Sequence, residues 1–261
     1  MRHRCPRLTL AGVAVFLLAA CSSGGAGRPP LPPAPHPTTQ GPVVAGIKRA
    51  GVLRVASDLS YPPLAFRDQG APQGFEIDLA RLLAAALGVR LEVTDTPRAA
   101  ARVGIADADL LISGWEAAGA PGPASTPYYV MRQAILWGEK QTPTPDGSLR
   151  NARVAVQARS RGQALAERLG ATPAVVEYQP LEALTAVARG TVQAAVADLP
   201  LVAEYARTHP RLRMSTGAWG DVPLVVVVRP NAPDLLAFTS AAIQELEQRG
   251  GLAQLRRRWQ L

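Results

Sequence analysis

The sequence predicts an α/β protein with two lobes, on two observations. Apolar, strand-like runs alternate with helical patterns along most of the chain, and the alternation comes in two series separated by a loop-rich middle. Strands alternating with helices of this length imply parallel sheets covered by helices on both faces. In the first series, Val52–Ser57 reads as a buried strand, Phe75–Leu87 as a helix, and Val89–Val93 and Asp109–Ser113 as strands. The helix places Ile77, Leu79, Leu82, Leu83, Ala86 and Leu87 on one apolar face. Asp78 suits its positive N-terminal end and Gly88 supplies the stop. In the second series, strands are expected at Arg153–Val156, Ala174–Tyr178 and Val192–Ala197, and helices at Gly162–Leu169, Leu181–Arg189 and Leu201–Arg207. Val222–Val228 is a late strand, and Asp234–Trp259 is helical with a break at Gly250-Gly251. Ligands in such folds bind beyond the carboxyl ends of the strands, so two facing lobes make a cleft.

The ends of the chain have other duties. Arg2, Arg4 and Arg7 precede the apolar run Leu8–Ala20. That run is short for a bilayer span, which needs roughly 20 residues, but suits a signal peptide. Leu18-Ala19-Ala20-Cys21 resembles a bacterial lipobox, so residues 1–20 are expected to be removed and Cys21 lipidated, anchoring the chain to a membrane. Of the two cysteines, Cys5 leaves with the leader, and the mature chain is expected to hold no disulfide. No metal or other cofactor is expected, because His209 lacks a ligand-spaced partner. Residues 21–46, rich in Gly, Pro, Ser and Thr, read as a disordered tether.

The formal charge is +8, and losing three arginines with the leader leaves +5. Lys48 and Lys140 are the only lysines. The arginines are scattered apart from Arg256–Arg258 and accompany no recognition motif, so nucleic-acid binding is not expected.

Five segments, in order, resemble the bacterial extracellular solute-binding proteins of family 3, the polar amino acid binders of ABC importers. They are GVLRVASDLSYPPLAF (51–66), QGFEIDLARLLAAALGV (73–89), STPYYV (125–130), VQAAVADLPLVAEY (192–205) and GGLAQLRRRW (250–259). The resemblance implies a periplasmic-binding-protein-like fold of type II, with two parallel-dominated sheets flanked by helices. It also implies two hinge crossings, near Val130–Ala134 and Asp221–Leu224. Lobe one would comprise residues 47–131 and 222–261, and lobe two 132–221. The implied protein is a monomer outside the cytoplasm, taking a small polar solute and docking on ABC permease subunits.

Site residues follow from the same resemblance. Asp198, closing a strand, matches the family's ammonium-binding Asp; alternatively it caps the following helix. Asp58 matches another binding position or caps a turn. Tyr61 would line or stack on the ligand, and Phe66 would do likewise or pack in the core. Ser113 and Gly114 would offer a hydroxyl and a backbone N–H. Ser160 and Arg161 open a helix whose N-terminus favours an anion. Where the family carries Thr-x-x-Arg, whose Arg clamps the ligand carboxylate, this chain reads WEAAGAPGPA (115–124) with no arginine, and Glu116 takes a place usually held by a small hydroxyl residue. Either the clamp has moved, with Arg161 the first candidate and Arg98 the second, or the ligand is not an ordinary α-amino acid. No catalytic constellation is evident, and the competing readings are a cyclohexadienyl dehydratase-like enzyme or a sensor lipoprotein with a degenerate pocket.

Overall fold

The structure is a computed structural model describing residues 28–102, 105, 107–144, 146–176 and 180–261. The expected leader and Cys21 lie outside these residues, as does the end of the strand expected at 174–178.

The helix α1 (Pro42–Ala50) leads into β1 (Val52–Ser57), a meander of β2 (Ser60–Tyr61), β3 (Ala65–Asp68) and β4 (Ala71–Gln73), then α2 (Phe75–Leu87), β5 (Arg90–Asp95), the single turn α3 (Arg98–Ala101) and β6 (Leu110–Glu116). A long strand β7 (Ala124–Trp137) crosses to β8 (Arg153–Gln157), α4 (Arg161–Arg168), β9 (Thr172–Val176), α5 (Pro180–Ala188), β10 (Ala194–Asp198) and α6 (Leu199–Thr208). Then come β11 (Arg213–Met214), the second long strand β12 (Trp219–Val228), α7 (Pro233–Gln248) and α8 (Gly251–Trp259).

Among the described residues the main sheet runs β5-β1-β6-β12-β7-β10-β8-β9, with β11 beside β7. Pairing is parallel within β5-β1-β6 and within β10-β8-β9. The antiparallel strands β7 and β12 join the two sets, so the expected sheets form one continuous path. Each half is covered on both faces, as a period of two requires. Leu53, Val55, Leu110, Ile112, Val226 and Val228 point into the core under α2, α7 and α8, while Ala56, Leu111 and Val227 face the opposite side with Trp115. In the other half, Ala134 and Leu136 meet α5 and α6, and Ile135, Trp137 and Val196 meet α4.

One buried ion pair ties the first half together. The carboxylate of Asp78, 1 % exposed, accepts from Arg81 at 2.5 Å on its own helix. It also accepts from Arg258 Nε and Trp259 Nε1, each at 2.8 Å, on α8. The residue therefore does more than complement a helix dipole.

The tether reading needs correction over residues 28–46. Residues 42–46 open α1, with Val43 and Val44 N–H groups both donating to Asp234 at 2.9 Å. Upstream, Pro32 and Pro35 are buried. The His36 N–H donates to Glu245, Gln254 donates to the Pro30 carbonyl, and the Arg28 guanidinium lies 3.9 Å from the Trp259 ring centre. A proline-rich strap has few N–H groups to satisfy, so it packs as an irregular strip along α7 and α8 at low polar cost.

Candidate functional site

The carboxyl ends of β1, β6 and β10 and the start of α4 converge between the two halves. Asp198 ends β10 at the N-cap position of α6, yet its side chain makes no capping hydrogen bond. Its oxygens instead accept from the Tyr61 hydroxyl at 2.8 Å, from Gln133 Nε2, and from Arg161 Nη2 at 3.4 Å to each oxygen. Tyr61 belongs to β2 in the first half, so this bond spans the cleft. Burial, and then the Asp198 charge, push the Tyr61 hydroxyl well above the usual phenol range, keeping it a donor.

Arg161 makes the second crossing. Its Nη1 lies 2.6 Å from Glu116 Oε1 at the end of β6, so one guanidinium is held by an acid from each half. The backbone fixes this placement. A Cβ on Gly162 would sit 2.6 Å from the Val196 carbonyl oxygen, so only glycine lets α4 start this close to the end of β10. Ser160 caps that helix, its hydroxyl accepting from the Gln163 N–H at 3.1 Å and donating to the Gln157 carbonyl at 2.7 Å. Its hydroxyl proton is thus engaged locally.

The first half presents a different array. Asp58 holds a turn, accepting from the Ser60 N–H and hydroxyl, and also accepts from the Arg98 N–H at 2.9 Å. Its carboxylate thus caps that turn. The Ser113 hydroxyl accepts from the Asp58 N–H at 3.2 Å. The Gly114 N–H, expected to face a ligand, donates instead to Glu76 at 2.9 Å. Glu76 is 2 % exposed and also accepts from the Tyr128 hydroxyl at 2.5 Å. Burial raises its pKa against the pull of these two hydrogen bonds. Phe66 packs edge-on against Trp259 at 5.8 Å, which is its core reading.

Arg98 lies across the Trp115 ring, 4.1 Å from its centre, and its Nη1 donates to the carbonyls of Ser113 at 2.8 Å and Gly114 at 3.2 Å. The two arginines are therefore partnered differently. Arg161 is engaged by two carboxylates, whereas Arg98 meets only neutral oxygens and a ring face. Sequence reasoning missed Glu76, Gln133 and the role of Trp115. An acid in the first turn of a mostly apolar helix was the one available signal for Glu76. Among the described residues no cluster of His, Cys, Asp or Glu is arranged to hold a metal ion.

A continuous sheet with two covered halves, meeting at a charged cluster, defines a two-lobed binding protein of the type II periplasmic class. The chain belongs to the bacterial extracellular solute-binding proteins, family 3, whose sequence profile matches residues 53–261. It is similar to a probable ABC transporter arginine-binding protein, ArtJ, of Chlamydia trachomatis, at 28% identity over 222 residues, 79% of this chain and 85% of that one. Membrane-bound lytic murein transglycosylase F of Maricaulis maris matches at 28% over 225 residues, and the chain spans 48% of its length. Among solved structures, the ancestral cationic amino acid solute-binding protein AncCDT-1 superposes with a TM-score of 0.72 at 26% identity, covering 84% of this chain and 99% of that one.

Proposed function

We propose that the chain is the solute-capturing lipoprotein of an ABC importer, taking a small polar solute, an amino acid or related compound, between lobe one (47–131 and 222–261) and lobe two (132–221). The observation that carries this reading is the double crossing of the cleft, Tyr61 to Asp198 and Arg161 to Glu116. Polar groups from both lobes that meet at one place give a solute the means to hold the lobes closed, and a permease a closed form to recognise. The similarity to a protein named as an ABC transporter arginine-binding protein, and to solved structures named as solute-binding proteins, supports binding over catalysis. A purified mature chain should gain about 2.7 kcal/mol of stability at a hundredfold excess of solute over Kd, a rise in Tm of roughly 5 °C or more. A screen of amino acids and small carboxylates by thermal shift, confirmed by calorimetry, checks this. No shift with any of them would remove the importer reading.

We propose further that Cys21 carries the lipid that keeps the chain outside the cytoplasm at a membrane. Cys21→Ser is expected to abolish labelling by a fatty-acid probe and to move the protein to the soluble fraction. Unchanged membrane attachment would contradict it.

A further inference from the structure

The charges lining the cleft are unequally matched, and the mismatch bears on what the proposed solute is. Three acids face the site, each with at least one oxygen engaged. Asp58 is taken by its own turn and the Arg98 N–H, and Glu116 and Asp198 share Arg161. Arg161 thus already supplies a cation between two acids, one from each lobe. Arg98 has no such partner. Of the five N–H donors of a guanidinium, two on Nη1 reach carbonyl oxygens, and among the described residues no carboxylate lies within ion-pair distance of the others. Its surroundings are unfavourable to an isolated charge. It is partly buried on the buried Trp115 ring, and burial together with the positive charges of Arg161 and Arg102 weakens its hold on its proton. The charges of Glu76 and Asp198 reach it only from a distance; a partly buried cation with no carboxylate in contact is costly, and an arriving anion that uses the remaining donors in a fork relieves that cost.

We propose that the solute is a carboxylate with no cationic side chain, and that Arg98, on lobe one, is the residue that holds its carboxylate. This rests on the solute-binding reading and sharpens it in a direction away from the relatives named for arginine and for cationic amino acids. A basic side chain would have to displace Arg161 from both of its acids, whereas a carboxylate completes an ion pair that the fold leaves half made.

The test is calorimetry on the mature chain with L-glutamate, L-glutamine, succinate, L-arginine and L-lysine, for the wild type, Arg98→Ala, Arg98→Lys and Arg98→Gln. At least one solute without a basic side chain should bind tighter than arginine and lysine. Arg98→Ala should weaken that solute at least 30-fold, and Arg98→Lys less, since it restores charge without the fork. Arg98→Gln keeps an N–H donor for the Ser113 and Gly114 carbonyls, so it supplies the folded comparison if the alanine variant is unstable, and should lose a similar factor. Tightest binding of arginine or lysine would overturn the inference and leave the solute-binding reading standing. So would a change of less than threefold for the best carboxylate in both Arg98→Ala and Arg98→Gln. If none of the five binds the wild type, the inference falls, and a wider thermal-shift screen without hits takes the solute-binding reading with it.

Discussion

Asp78→Ala is expected to destabilise the folded chain by about 3–5 kcal/mol, because it removes one partner from a buried ion pair and leaves the others in place. The carboxylate sits on α2 at 1 % exposure and takes Arg258 and Trp259 Nε1 from α8, as well as Arg81 from its own helix. Arg258 is itself 19 % exposed, so water replaces the lost carboxylate poorly, and the indole N–H is buried with it. Arg81 should suffer less, being more exposed and also donating to the Pro72 carbonyl. The consequence is undocking of α8 from α2, and Trp259 reports it directly. Urea unfolding followed by tryptophan fluorescence should show a lower midpoint and a Trp259 environment altered before the main transition. Asp78→Asn keeps an oxygen acceptor and should lose less. A loss below about 1 kcal/mol for the alanine variant would mean that apolar packing alone fixes α8.

The second large effect is on affinity. Asp198→Ala should weaken solute binding about 10- to 100-fold, the 1.5–3 kcal/mol attached to hydrogen bonds with a charged partner. The substitution removes the acceptor of the Tyr61 hydroxyl across the cleft and the lobe-two acid that holds Arg161. Asp198 and Arg161 act as a unit, so Asp198→Ala and Arg161→Ala should be clearly non-additive in a double-mutant cycle. Calorimetry with the best solute from the screen decides the matter. An affinity within threefold of the wild type, with an intact fold, would show that the crossing contributes nothing to capture.

The sequence was most legible where local pattern and tertiary burial agree. The bounds of β1 and α2 follow from apolar runs ended by a turn and by Gly88, whose φ of 71° suits a helix stop. The strand β7 was not legible, because it opens directly after the loop-like 115–124 and carries Pro127 within it. Pro127 is tolerated there because it stands opposite Val225, where the register with β12 shifts. The strap was misread for a related reason. Composition reports what a segment offers on its own, and Pro32 and Pro35 are buried only because α7 and α8 present a surface for them. Within the site, the types of residue were readable and their pairings were not. Glu116 and Arg161 are 45 residues apart and Tyr61 and Asp198 are 137 apart, so which charge neutralises which is decided only by the crossing of the lobes.

The strap also decides which part of the molecule stays still. From Cys21 to Arg28, whose guanidinium packs on Trp259, the backbone spans at most about 25 Å. With a lipid on Cys21, that short leash moors the flank built from α7 and α8, not a free-swinging body at the end of 26 slack residues. Lobe one then becomes the fixed frame beside the bilayer, and lobe two the part that sweeps when the cleft opens. If the proposed lipid and importer role hold, a loaded chain would reach a permease with one lobe already leashed beside it, and the search for the docking pose would be confined to a shallow layer above the membrane.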